Sequence, residues 1–188
     1  YGNEGQRAIL QLGADDGDDN ADYWQFQART DGNLNIQNYA SGSWANSLVL
    51  QSGGAANLYH NNHYAFNTAS TGIEVRGPEA GNCEFYMYAD EGDDNADLWK
   101  MVAFHSPAGN WGLYNKYSGS WEQNIGCAGD GNVQLYYNNS KKFETHDWGI
   151  KVSNDILLPD GGIIRLGDAT YGDAKIYHDG SNFYMENL

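Results

Sequence analysis

Ala14-Asp15-Asp16-Gly17-Asp18-Asp19-Asn20-Ala21-Asp22-Tyr23-Trp24-Gln25-Phe26-Gln27-Ala28 returns as Ala89-Asp90-Glu91-Gly92-Asp93-Asp94-Asn95-Ala96-Asp97-Leu98-Trp99-Lys100-Met101-Val102-Ala103, an offset of 99 − 24 = 75. Each copy joins an acidic run to a stretch in which every second residue is apolar: Trp24, Phe26 and Ala28 in the first, Trp99, Met101 and Ala103 in the second. The residues between them are free to change, as Gln25 to Lys100 does. Side chains alternate across a strand, so a period of two predicts β-structure with one apolar face.

Outward from this stretch the duplication continues. Ser41-Gly42-Ser43-Trp44 returns as Ser118-Gly119-Ser120-Trp121 at an offset of 121 − 44 = 77, and a two-residue insertion near Ser106-Pro107 accounts for the change. The second offset holds through Leu58-Tyr59 and Leu135-Tyr136, Asn61-Asn62 and Asn138-Asn139, Phe66 and Phe143, and Gly72-Ile73 and Gly149-Ile150. Leu34 and Ile36 match Trp111 and Leu113, Leu48 and Leu50 match Ile125 and Cys127, and Ile73 and Val75 match Ile150 and Val152. These pairs predict about five or six short strands per unit, with the matched apolar residues facing inward and turns and charges facing water. Matched side chains pointing to solvent count against that expectation.

Three units follow: residues 1–78, 79–154, and an abbreviated 155–188. In the third, Ile164-Arg165-Leu166-Gly167-Asp168 echoes Leu10-Gln11-Leu12-Gly13-Ala14-Asp15, and Ile176-Tyr177-His178-Asp179-Gly180 echoes Leu58-Tyr59-His60-Asn61-Asn62. The fold class expected is all-β, built of tandem repeats of short antiparallel strands. Repeats lean on neighbours for burial, so a chain that opens on Tyr1 and stops at Leu188 in mid-pattern is expected to be a segment of something longer. Short strands also leave edges to be paired or covered, and identical chains wound about an axis would do both.

Composition narrows the function. Aromatics make up 14% of the chain, which excludes a disordered acidic tail. Twenty-four glycines against three prolines fit many tight turns. A net charge of −15 with only ten Lys and Arg excludes nucleic acid and an anionic membrane surface as partners. No stretch is apolar enough to insert in a bilayer, and no signal-peptide pattern is present. Two cysteines are too few for a disulfide framework, and Cys127, matched to Leu50, reads as a small apolar residue.

Leu135-Tyr136-Tyr137-Asn138-Asn139-Ser140-Lys141-Lys142-Phe143-Glu144-Thr145, closed by Gly149-Ile150-Lys151-Val152, resembles a segment of bacteriophage tail-fibre shafts, particularly of marine phages. Ile176-Tyr177-His178-Asp179-Gly180-Ser181-Asn182-Phe183-Tyr184 and the acidic run followed by Trp are similar to phrases of the same family. The resemblance implies an elongated, intertwined homotrimeric β-fibre of the virion, extracellular, with a shaft or tip that contacts a bacterial surface glycan. Neither the virion adaptor nor the carboxy-terminal chaperone domain of such fibres is recognisable. A lectin-like carbohydrate-binding module and a repeat subunit of a bacterial adhesin or extracellular filament are the alternatives.

Candidate ligand sites are few. Asp16, Asp18, Asn20 and Asp22 alternate, as do Glu91, Asp93, Asn95 and Asp97, and alternating oxygens can wrap a calcium ion. The sixth position is Ala21 or Ala96 rather than Gly, and the twelfth is Gln27 or Val102 rather than Glu, so this is not an EF-hand; a polar turn reads these residues equally well. Beyond that calcium no cofactor is expected. His60 and His63 lie three apart, which in one strand puts them on opposite faces unless a turn intervenes. Trp148, between Asp147 and Gly149 and opposite Thr71 of the first unit, is the best exposed aromatic for a ligand, with His146 beside it and Trp111 as a second candidate. No Gly-x-Ser-x-Gly elbow, phosphate loop or zinc-protease motif occurs, so no catalytic residue is assigned and no enzyme is expected.

Overall fold

The computed structural model describes residues 1–167 and 172–187; Asp168, the last residue of the third-unit echo, lies outside the described residues. Seven strands form the first sheet: β1 (Ala8–Gly13), β2 (Tyr23–Ala28), β3 (Leu34–Asn38), β4 (Ala45–Leu50), β5 (Ala56–His60), β6 (His63–Ala69) and β7 (Gly72–Val75). Seven more form the second: β8 (Cys83–Tyr88), β9 (Leu98–Ala103), β10 (Trp111–Asn115), β11 (Glu122–Cys127), β12 (Val133–Tyr137), β13 (Ser140–His146) and β14 (Gly149–Val152). The third sheet contains β15 (Ile163–Leu166), β16 (Ala174–His178) and β17 (Phe183–Asn187). All are antiparallel meanders in which each strand pairs with the next in sequence. The fold is therefore all-β and repeated, with seven strands per full unit rather than five or six.

The additional strands come from two-residue turns, which leave almost no turn composition behind. Asn61 and Asn62 both have positive φ (51° and 60°), as do Asn138 and Asn139 (48° and 57°). That backbone matches the right-handed twist of the flanking strands, and Asn adopts it more readily than most side chains. The turn makes His60 and His63 direct partners across the hairpin. Each sheet also carries two register shifts at matched places: between Ile36 and Gln37 and between Leu58 and Tyr59 in the first, between Leu113 and Tyr114 and between Leu135 and Tyr136 in the second.

Register turns the period-two pattern into rows. Leu10, Phe26, Ile36, Leu48, Leu58, Phe66 and Val75 are successive cross-strand partners over all seven strands. Phe85, Met101, Leu113, Ile125, Leu135, Phe143 and Val152 form the same row in the second sheet. The third sheet continues the pattern with Ile164, Ile176 and Met185.

The expectation that these residues face inward needs correction. They share one side, as alternation requires, but none of the fourteen is buried; Leu10 is 61% exposed and Leu58 48%. Among the described residues substantial contacts run only between neighbouring elements, so no layer of them covers this side. The protected side chains of the opposite face are mostly polar, Gln25, Gln27, Asn35, Asn57 and Glu144, with Val49 and Val102 the apolar ones; Ala45, also buried, pairs with Asn38 and stands on the side of Trp24. A meander without a crossover makes one layer, and two layers are needed to bury a face.

Hydrogen bonding makes the polar face compact. Gln25 Nε2 donates to Gln37 Oε1 at 2.5 Å, and Gln37 Nε2 and Asn35 Nδ2 both donate to Asn46 Oδ1, at 2.9 and 3.1 Å. Strands stand about 4.8 Å apart, so long amides on one face lie against each other and exclude water laterally. The second sheet replaces this amide ladder with charges and rings. Lys100 pairs with Glu84 at 3.1 Å and lies 4.7 Å from the Trp121 ring centroid, while Tyr86 donates to Glu84.

Candidate functional site

Three features can carry function: the open apolar face, the acidic turns, and a cleft at one end of the second sheet. The apolar face does not stop at a sheet boundary. Phe66, Ile73 and Val75 of the first sheet and Phe85, Met101 and Trp111 of the second line one apolar concavity of about 390 Å³. Trp111 therefore belongs to this face; it stands in the row Cys83, Ala103, Trp111, Cys127 and not beside Trp148. Both cysteines are free thiols in that row, separated by β9 and β10. Trp24 and Trp99, 42% and 37% exposed, sit on the same face.

The acidic runs fold as paired 3₁₀ turns before β2 and β9. Asp19 caps one by accepting from Ala21 N at 2.7 Å, and Asp94 does the same for Ala96 N. Tyr23 Oη donates to the Gly17 carbonyl and ties the first turn to its strand. Carboxylate oxygens of Asp18, Asp19 and Asp22 lie within 4.8 Å of one another, as do those of Asp93, Asp94 and Asp97. Thus Asp18, Asp22, Asp93 and Asp97 are brought together, Asp19 and Asp94 complete the clusters, and Asp16, Asn20, Glu91 and Asn95 contribute no carboxylate to them. Partial burial, reinforced by Asp94, Asp90 and Asp93 nearby, raises the Asp97 pKa above the ordinary aspartate value. Each cluster thus offers a cation three carboxylates, and calcium completes six to eight oxygen ligands from carboxylates, carbonyls and water together.

Trp148 and His146 come together. The two-residue turn Asp147-Trp148 joins β13 to β14, and the indole stacks on the imidazole with centroids 4.7 Å apart and planes at 20°. Trp148 remains 69% exposed. Beside them, Asp130, Gly131, Asn132, Thr145, His146 and Asp147 line a cleft of about 350 Å³ between the β11–β12 loop and the β13–β14 turn.

Glu144 anchors the floor of this corner. Its Oε1 accepts from Lys141 Nζ (2.6 Å), Asn132 Nδ2 (2.9 Å) and Gln134 Nε2 (3.0 Å), and its Oε2 lies 3.3 Å from His146 Nε2. Lys141, then Asn132, hold the Glu144 carboxyl down at about 2, far below the usual glutamate value. Asn132 Oδ1 has no hydrogen-bond donor. Thr145 points its hydroxyl back to the scaffold, accepting from Val133 N at 2.9 Å, as Thr68 does from Ala56 N in the first unit. Asp130 and Asn132 escape sequence reasoning because neither belongs to a motif, and Glu144, inside the tail-fibre phrase, and Asp147, beside Trp148, are not marked there as site residues. Their signal is that each differs from its counterpart in the other copy: Gly53, Ala55, Asn67 and Ser70.

Comparison with protein-family models, with curated proteins and with solved structures finds no match for this chain.

Proposed function

We propose that this chain is a structural segment of an extracellular fibre, of the kind the tail-fibre resemblance implies, in which identical chains, three in that family, assemble by closing their apolar faces against one another. The carrying observation is the unbroken, uncovered row of seven apolar residues in each large sheet. A compact protein of 20.8 kDa exposes roughly 9,000 Å², whereas this chain exposes 13208 Å². The excess, about 4,000 Å², falls in the range of obligate assemblies. Exposed apolar areas beyond a few hundred Å² mark interaction surfaces.

Charge supports the same reading. A net charge of −15 would oppose association if acids lined the contact. Both seven-residue rows contain no ionisable side chain, and the acidic turns stand at strand ends. Assembly thus buries apolar area while the repelling charges stay in water. In this role the chain is a shaft that spaces and orients, and the polar face and turns are left for contact with a host cell surface.

Sedimentation equilibrium over a hundredfold dilution tests the reading. A trimer that persists supports it, and a monomer that stays folded and soluble at all concentrations overturns it.

A further inference from the structure

The two copies keep their apolar rows and differ widely on the polar face, and at one corner the differences all run in one direction. Around the kept Thr68/Thr145 and Gly54/Gly131, the first copy has Gly53, Ala55, Ala69, Ser70 and Thr71, all small. The second has Asp130, Asn132, His146, Asp147 and Trp148 at the same places. The scaffold bond from the Thr hydroxyl to the β5 or β12 backbone is identical in both. Here five small residues give way to two acids, an amide, an imidazole and an indole on an unchanged backbone, which concentrates ligand-capable groups in one place.

From this corner we infer a binding site for a small organic cation, a primary or quaternary ammonium group, held between the indole of Trp148 and the carboxylates of Asp130 and Asp147. Aside from His146, those two acids are the only ionisable side chains lining the cleft. Asp147 has no hydrogen bond or ion pair among the described residues, and Asp130 spends one oxygen on Asn132 N at 3.3 Å. The cation that could quench them, Lys141, is committed to Glu144 at 2.6 Å. Stacking on His146 fixes the indole while leaving most of it in solvent. The indole is tied to the cleft through His146, which lines it, and an aromatic face and a carboxylate each attract a cation, one through its quadrupole and the other through charge. Asn132 Oδ1, buried and without a donor, adds an unsatisfied acceptor to the wall of the cleft. Glu144 and His146 share the polar face of β13, opposite the row residue Phe143, so the site stays accessible when the apolar faces are closed.

Glucosamine, glucose and tetramethylammonium titrated into the full chain, read by the indole N–H resonance of Trp148, test the site whatever its oligomeric state. Glucosamine and tetramethylammonium shift that resonance saturably and glucose does not. Trp148→Ala, followed by calorimetry, weakens binding roughly three- to tenfold, and Asp130→Asn with Asp147→Asn abolishes it while the melting temperature stays unchanged. Equal binding of glucose overturns the inference in favour of a neutral saccharide site. Absence of binding by either ammonium at millimolar concentration, or binding indifferent to Trp148→Ala, also overturns it. Since the readout is independent of association, a monomeric result in sedimentation leaves this test intact.

Discussion

The side-chain Oδ1 of Asn62 accepts the backbone N–H of Asn46 at 2.8 Å, and Asn139 makes the same bond to Gln123 N at the same distance. Each turn Asn thereby reaches across to the strand beyond its own hairpin and satisfies an amide next to a register shift. Register in a sheet is weakly specified unless something pins it, since slipping by one residue exchanges the two faces. These asparagines pin it where the apolar rows would otherwise lose alignment.

Asn62→Gly keeps a residue that tolerates positive φ and removes only the acceptor, so it is expected to cost about 1 kcal/mol. Asn62→Ala adds turn strain and is expected to cost more. Urea midpoints of the two variants measure the difference; an unchanged midpoint in Asn62→Gly would mean that the bond to Asn46 contributes nothing.

Charging the apolar row is expected to separate chains without unfolding them. Leu58→Asp and Leu135→Asp sit in the middle of the two rows, at 48% and 42% exposure. Neither side chain supports a packed interior, so strand content by circular dichroism stays constant while sedimentation shifts toward monomer. Wild-type mass in both variants would contradict this.

Glu144 makes the second unit sensitive to acid. Its folded value, about 2, lies below the ordinary glutamate value of 4.5, so its contribution is full above about pH 4.5 and disappears as pH falls toward 2. A melting-temperature series over that window is expected to slope down in the wild type. Glu144→Gln should start lower at neutral pH and lose part of that slope.

Two phenols titrate late. Hydrogen bonds to Glu84 and Glu186 raise Tyr86 and Tyr177 to about 12 from 10.0. Their stabilisation is present below pH 10 and is lost as pH rises through about 12. Ultraviolet phenolate titration should show a late component among the fourteen tyrosines, and Glu84→Gln with Glu186→Gln should remove it.

Cys83 and Cys127 are separated by three strand steps, roughly 14 Å, against the ~4.4–6.8 Å between Cα atoms that a disulfide requires. Thiol titration after denaturation is expected to give two free thiols per chain, and mild oxidation should produce no internally bridged monomer.

The fold was readable where chemistry leaves a periodic trace. Alternation at Trp24-Gln25-Phe26 and its copy at Trp99-Lys100-Met101 dictates strands, and the matched apolar residues do share a face. What alternation does not encode is whether anything lies over that face. Phe66 reads the same in a sequence whether a second layer or a second chain meets it. Strand number was undercounted because Asn138-Asn139 makes a whole connection of two residues. His60 and His63 became partners for the same reason. In the candidate site, Trp148 and His146 were visible as an aromatic pair at a turn, whereas Asp130 and Asn132 come from another loop, and only pairing of β12 with β13 brings them near.

The unbranched order of the meanders bears on synthesis. Within each sheet every strand after the first finds a partner in the strand made just before it, so pairing needs no more than the next strand to leave the ribosome. Closure of short local loops is fast, and nascent units can zip up in the order of translation. Under the proposed assembly, the slow, concentration-dependent event is then the meeting of finished chains. Such a plan tolerates lengthening by tandem gene duplication, because a new unit disturbs no pairing already in place.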